Sequence, residues 1–249
     1  MKNNILQHKI NHIKTWFIQT VRFNKNKKNL ITEFDIINKQ FTMPVPNETI
    51  FGRDDETHEN VTYYDIRKIT NENKLIRLLR ERIKVLFINQ GNDTKQPFPK
   101  IILTCVSIET LGQIFIKENK NDTSFQFVSI INKFDKEFPR KFNKEFKKKL
   151  GDLWNSENDN VSGVTNLGKL IYKFLRNTMI HGFQGRGVYL TLEDTKSFIK
   201  EDGYLKLNPD WFWEQYKTIN HELFVIAEKG QNNTPERLMC LKYINMLIN

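Results

Sequence analysis

The sequence predicts a mainly α-helical protein with a small β element after residue 187, and three observations carry that reading. Apolar residues return at helical spacing over long stretches, as in Leu75, Leu79, Ile83 and Phe87, or Leu238, Leu241, Ile244 and Leu247. Helix start and stop signals bracket such stretches: Asn166 before one, Gly182 after it, and Pro209 and Pro235 at the openings of two others. Alternation of the strand kind is found at residues 188–192. A chain of 249 residues, 39% hydrophobic and with 19 Phe, can bury a full core as one domain with additions or as two small ones.

Taken in order, residues 4–23 predict a helix whose Ile5, Ile10, Ile13, Phe17 and Val21 form an incomplete apolar stripe, able to dock on the body or on a partner. Residues 24–29, NKNKKN, read as a turn. Pro44, Pro46, Gly52 and the polar run 54–60 then suggest an irregular connector carrying His58, so that 1–64 form an N-terminal helix plus connector and 65–249 the main helical domain. Residues 65–89 predict one long helix, with Arg77, Arg80, Arg82 and Lys84 as surface charges around its apolar face. The stretch 91–99 breaks the pattern, and a nearly all-apolar helix follows at 104–115.

Glu109 is the odd residue of that helix, and a buried carboxylate needs a partner. Pairing with Arg176 would hold the guanidinium in place; an ordinary exposed position is the other reading. Phe134, Phe138, Phe142 and Phe146 recur every four residues and indicate core packing, with Pro139 favouring a helix start. Between them Arg140, Lys141, Lys144, Lys147, Lys148 and Lys149 gather positive charge, of which Lys141, Lys144 and Lys148 are candidates for tracking a nucleic-acid backbone; a solvated face is the alternative. Residues 156–163 form a polar turn. After the glycine-rich loop 182–187, which carries Arg186 as a further candidate RNA contact, 205–207 are expected to pair with 188–192 in a hairpin, and helices at 209–230 and 235–247 close the chain. His221, among Leu223, Phe224 and Ile226, reads as a packed or surface imidazole.

Composition excludes several classes. Cys105 and Cys240 lie in apolar patterns without neighbouring ligands at metal spacing, so they read as core thiols, and no metal or cofactor is implied. No GxxxxGK[ST] phosphate loop is present, and GFQGRG follows a helix rather than a strand. The N-terminal residues lack a continuous apolar core and a small-residue cleavage site, and no run approaches the length of a membrane span, so a cytoplasmic protein without membrane contact is expected. A net charge of +10 attracts polyanions, RNA in particular, or reflects a solvated surface in a Lys- and Asn-rich chain.

The stretch with the most chemistry is 168–182, GKLIYKFLRNTMIHG. Leu167, Leu170, Ile171, Phe174 and Thr178 give it a buried face, and Arg176, Asn177 and His181 close it. A fixed cation beside an imidazole that titrates near neutrality suits in-line attack at phosphorus. In an α-helix, turning by about 100° per residue, Asn177 and His181 share a face while Arg176 and His181 lie roughly 140° apart. Either the helix unwinds near Gly182, or the site combines an Arg and a His from two copies.

This Arg, Asn, any three, His pattern near the end of an apolar helix resembles the HEPN domain family, named for nucleotide-binding domains of higher eukaryotes and prokaryotes. More weakly, 104–115 resembles the family's first core helix, 125–153 the middle of its bundle and 187–207 a short hairpin some members carry, so that about 99–213 is covered. The resemblance implies an up-and-down helical bundle with extra N- and C-terminal helices, dimerising so that motif helices meet. It also implies a metal-independent endoribonuclease of toxin or antiviral-defence systems, with Arg176 and His181 in catalytic positions and Asn177 as the polar residue after the arginine. Phe183 stands where a subset has a tyrosine linked to nucleotidyl modification, which puts that regulation in doubt.

The expected reaction is cleavage of RNA by its own 2′-hydroxyl, His181 acting as general base or acid, Arg176 stabilising charge on the phosphoryl oxygens and Asn177 orienting one of them or the imidazole. Expected partners are RNA (tRNA, mRNA or phage RNA), a second copy completing a composite site, and an antitoxin or regulatory protein. The alternative is a catalytically inert HEPN-like module that binds RNA or protein.

Overall fold

Side-chain caps from Thr62, Asn71, Asn166 and Asn208 start four of the described helices. The computed structural model of the chain describes residues 48–118, 124–135, 166–177, 188–193, 197–199, 205–230 and 234–248. The expected helix at 4–23, Phe138, Phe142 and Phe146, and Lys141, Lys144, Lys148, His181 and Arg186 all lie outside the described residues.

Instead of an irregular connector, the chain forms a β-hairpin of β1 (Ile50–Arg53) and β2 (Asn60–Thr62), with Phe51, Val61 and the following Tyr63 in the main core. Its sequence signal is weak because few apolar residues alternate around a long polar loop. His58 takes φ 60°, a conformation that costs a β-carbon-bearing residue energy, and its carbonyl accepts from Arg53 Nε at 2.8 Å. Asp54 Oδ1 accepts from the backbone N–H groups of Glu56 (2.9 Å) and Thr57 (3.2 Å) and closes the loop. The Lys74 ammonium beside Asp54, together with those N–H groups, holds the Asp54 carboxyl down to about 2.

The single long helix expected at 65–89 is divided. Thr62 and Asp65 make a capping box that starts a short α1 (Tyr63–Ile66), and Asn71 caps a fresh start by accepting from Lys74 N–H at 3.1 Å. From there α2 (Glu72–Ile83) runs into a wider π-helical turn (Lys84–Ile88) and then α3 (Asn89–Asp93). The charges on α2 are fasteners more than decoration. Lys74 meets Asp54 at 2.9 Å, Arg77 meets Glu56, and Arg80 reaches Asp55 at 3.4 Å and Glu228 at 2.6 Å. Arg82 is buried, donates to the Phe51 carbonyl and lies over the Phe51 ring, where burial lowers its guanidinium to about 10 and leaves it charged at neutral pH.

The centre of the fold is α4 (Pro97–Phe115), which opens on a proline and packs against α5 (Phe125–Ile131), α7 (Pro209–Lys229) and α8 (Pro235–Ile248). By length and composition alone α4 could cross a membrane, but here Ile101, Ile108, Leu111 and Ile114 are buried among its neighbours. Its Thr104, Ser107 and Thr110 hydroxyls donate to carbonyls one turn back, at 2.7, 2.7 and 3.0 Å. Both cysteines are buried free thiols, and burial pushes each up to about 12.

The motif segment is α6 (Leu167–Leu170) continued by a π-helical turn (Ile171–Arg176). After it, β3 (Val188–Leu190), β4 (Phe198–Ile199) and β5 (Leu205–Leu207) form a sheet in the order β3-β5-β4. β3 does pair with β5, but in parallel, and β4 pairs antiparallel with β5. A three-stranded mixed sheet thus replaces the expected hairpin, because the connection between β3 and β5 is long enough to contribute a strand of its own.

Asn208 caps α7 by accepting from Asp210 N–H (2.8 Å) and Trp211 N–H (3.0 Å). Arg237, 5% exposed, ties α8 to the start of α2 through Glu72 (2.7 Å) and Asn73 (2.7 Å), and to the end of α7 through the Ala227 carbonyl (3.1 Å). Gly91 on α3 lies flush against the Trp213 indole, which also donates to Asn92 Oδ1 at 3.1 Å; a Cβ at Gly91 would stand 2.1 Å from Trp213 Cζ2. Gly91→Ala is therefore expected to destabilise the protein by about 1–3 kcal/mol through overpacking, read as a lower urea midpoint at unchanged slope.

Candidate functional site

Asn166 starts the motif helix by accepting from Lys169 N–H at 2.9 Å. From Ile171 the backbone widens, and Asn177 N–H closes on the carbonyl of Tyr172, five residues back. Two glycines set how this helix and α4 sit on α5. A Cβ at Gly168 would fall 2.9 Å from Val128 Cγ1, and one at Gly112 would fall 2.9 Å from the Gln126 carbonyl. Each helix therefore approaches α5 more closely than any side chain would allow.

That approach brings Arg176 to Glu109. Arg176 Nε donates to Glu109 Oε2 at 3.2 Å, and Nη2 donates to Oε1 and Oε2 at 2.7 Å each. Nη1 donates to Asn177 Oδ1 at 2.9 Å. The guanidinium lies 5.2 Å from the centroid of the Tyr172 ring, and Tyr172 in turn meets Phe127 edge-on at 5.4 Å. A carboxylate, an amide and an aromatic ring thus hold one cation on three sides.

The side chains of Arg176 and Glu109 are 16% and 20% exposed, so the pair is partly withdrawn from water while still open at an edge. Bidentate charge-assisted bonds of this kind are stronger than those of a freely exposed pair. Removing one partner would leave a charge short of both water and a counter-ion. Cys105, one turn before Glu109, is fully buried, and burial keeps its thiol neutral.

Chemically, the arrangement presents a planar donor in one orientation. Glu109 takes the Nε–Nη2 edge and Asn177 takes one Nη1 hydrogen, which leaves at most one hydrogen on each Nη for a carboxylate or phosphoryl group. Of the residues singled out from sequence, Arg176, Asn177 and Glu109 are brought together. His58 lies in the hairpin loop and His221 is exposed on α7. Among the described residues no three His, Cys, Asp or Glu side chains are gathered as metal ligands would be. The sequence reading passed over Tyr172, although its place four residues before Arg176 was a signal that ring and guanidinium share a helix face.

No family model, curated protein or solved structure matches this chain.

A double-mutant cycle on Glu109→Ala and Arg176→Ala should give a coupling of about 1–3 kcal/mol in unfolding free energy, each single variant costing nearly as much as the pair. Additive losses would show that the two side chains do not act on each other in solution.

Proposed function

We propose that the protein is a metal-independent endoribonuclease of the HEPN kind, acting as a toxin or antiviral-defence effector on tRNA, mRNA or phage RNA. The observation that carries this reading is the bidentate hold of Glu109 on Arg176, which sets one guanidinium edge at the end of the described motif helix, five residues before His181 in sequence. A preorganised cation stabilises charge as it develops on phosphoryl oxygens without reorganising during the reaction. Asn177, bonded to Nη1, would orient the guanidinium or a phosphoryl oxygen.

The wide turn bears on the spacing. A π turn closes on the fifth residue, as Asn177 does on Tyr172, and His181 is the fifth residue after Arg176. A π-helical register brings residues five apart nearer to one face than an α-helical register does. His181 would then take the 2′-hydroxyl proton or supply one to the leaving 5′ oxygen. With one motif histidine per chain, a second copy completing a composite site would supply acid and base together.

A second reading is favoured by the same contact. With its Nε–Nη2 edge already neutralised by Glu109, Arg176 has less uncompensated charge to offer a phosphate, as suits an inert HEPN-like module that binds RNA or protein without cutting.

Cellular RNA incubated with the protein in EDTA distinguishes them. The nuclease reading expects new ends carrying 2′,3′-cyclic phosphate and 5′-hydroxyl, with rates falling about 10²–10⁴-fold in Arg176→Ala or His181→Ala. Cleavage stopped by EDTA, or ends bearing 5′-phosphate, would point to a metal-dependent contaminant or mechanism. Intact RNA would leave the binding module.

A further inference from the structure

The partners of Arg176 limit the charge of whatever binds beside it. Nη2 donates to both oxygens of Glu109 at 2.7 Å, so one positive and one negative charge offset each other within the site. Nη1 donates to Asn177 Oδ1 at 2.9 Å. A guanidinium can only donate, so the amide must turn its oxygen toward Arg176, and its Nδ2 end, with two hydrogens, faces the other way. The donors left for a ligand are therefore at most one hydrogen on Nη1, one on Nη2, and the Nδ2 group of a neutral amide. The Tyr172 ring, 5.2 Å from the guanidinium, adds a face without adding charge.

Donors of this kind sort anions by charge. Attraction to the guanidinium grows in proportion to the charge of a ligand, while the cost of stripping its water grows as the square of that charge. Beside a lone arginine, a doubly charged phosphate gains enough to offset the steeper cost. Here the Glu109 carboxylate cancels much of the attraction, and side chains only 16% and 20% exposed take a ligand partly out of water. A single negative charge is then the better fit. A phosphodiester carries one, whereas a terminal phosphate carries about −1.5 to −2 at neutral pH.

We propose that Glu109 is a specificity-determining residue, which makes the Arg176–Asn177 site accept a phosphodiester and turn away a terminal phosphate. The inference rests on reading Arg176 as the cation that meets the phosphoryl group of RNA. It adds which phosphates are met: linkages inside a strand and a 2′,3′-cyclic end, but not the 3′-monophosphate formed when that ring is hydrolysed. It does not require the chain to cut.

The test uses the full chain carrying His181→Ala, so that no ligand is turned over. Its two probes share a nucleoside and differ in charge: uridine 2′,3′-cyclic phosphate and uridine 3′-monophosphate, titrated by calorimetry at about pH 7.5, above the second phosphate pKa of about 6. The cyclic phosphate should bind roughly tenfold tighter, a difference of the size that one partly desolvated charge brings. Glu109→Gln removes the charge at nearly constant size and should reverse the order, whereas Arg176→Ala should abolish binding of both. Glu109→Asp keeps the charge and should keep the order even with both ligands weakened. Dimethyl phosphate and methyl phosphate, compared on the chain with Glu109 in place, repeat the measurement without a nucleoside and without a variant at 109 that has to fold. Equal or tighter binding of the doubly charged member of either pair, binding of neither nucleotide, or an order unchanged in a folded Glu109→Gln chain overturns the proposal.

The two proposals fail separately. A chain that discriminates between the probes while wild type leaves RNA intact keeps the diester site and ends the nuclease reading. A wild type that cuts RNA in EDTA while the probes bind alike keeps the nuclease and ends the selectivity.

Discussion

A guanidinium on a long side chain samples many orientations until something fixes it, and here Glu109 does so for Arg176. The two lie on helices far apart in sequence, and both helices are drawn to α5 by glycines that admit close backbone approach. Gly112 is three residues along α4 from Glu109, and Gly168 stands near the start of the motif helix, so packing and ion pair constrain each other. If the bidentate contact were lost, Asn177 and Tyr172 would remain beside the arginine. Neither carries a charge to oppose its own.

The same device recurs through the molecule, and it changes how the basic composition is read. Lys74, Arg77 and Arg80 answer Asp54, Glu56 and Asp55 in the hairpin loop, Arg80 also answers Glu228, and Arg237 answers Glu72. Much of the positive charge on α2 is therefore spent on joining hairpin and helices, and is not an open polyanion track. Most of these contacts are partly exposed and individually weak; Arg237 is the exception, buried and bonded to both the start of α2 and the end of α7. Paired charges cancel in the sum, so the net charge of +10 belongs to residues outside these pairs.

How far the sequence could be read follows from the range of the forces involved. Helix starts at Asn166, Pro209 and Pro235 were legible because capping is local, as was the burial of Cys105 and Cys240 within apolar stripes. The break between Ile66 and Glu72 was missed because the apolar period runs through it and only the Asn71 cap marks it. The hairpin at 50–62 was missed because its loop is held by partners on α2, which local pattern does not reveal, and the parallel β3–β5 pairing depends likewise on contacts distant in sequence. At the site, Glu109 stood out as a carboxylate in an apolar helix, and its geometry follows from helix packing. The π-helical turn had no visible signature, although it alters which residues share a face with Arg176.

The central claim is that orientation, more than charge, is what Glu109 confers on Arg176. Arg176→Lys keeps the charge but removes the fork, so it separates the two directly. With folding matched to wild type by thermal unfolding, the nuclease proposed above should lose about 100-fold in its rate of RNA cleavage in EDTA, since one preorganised donor of this kind contributes on that order. A lysine variant that cuts at the wild-type rate would contradict the account.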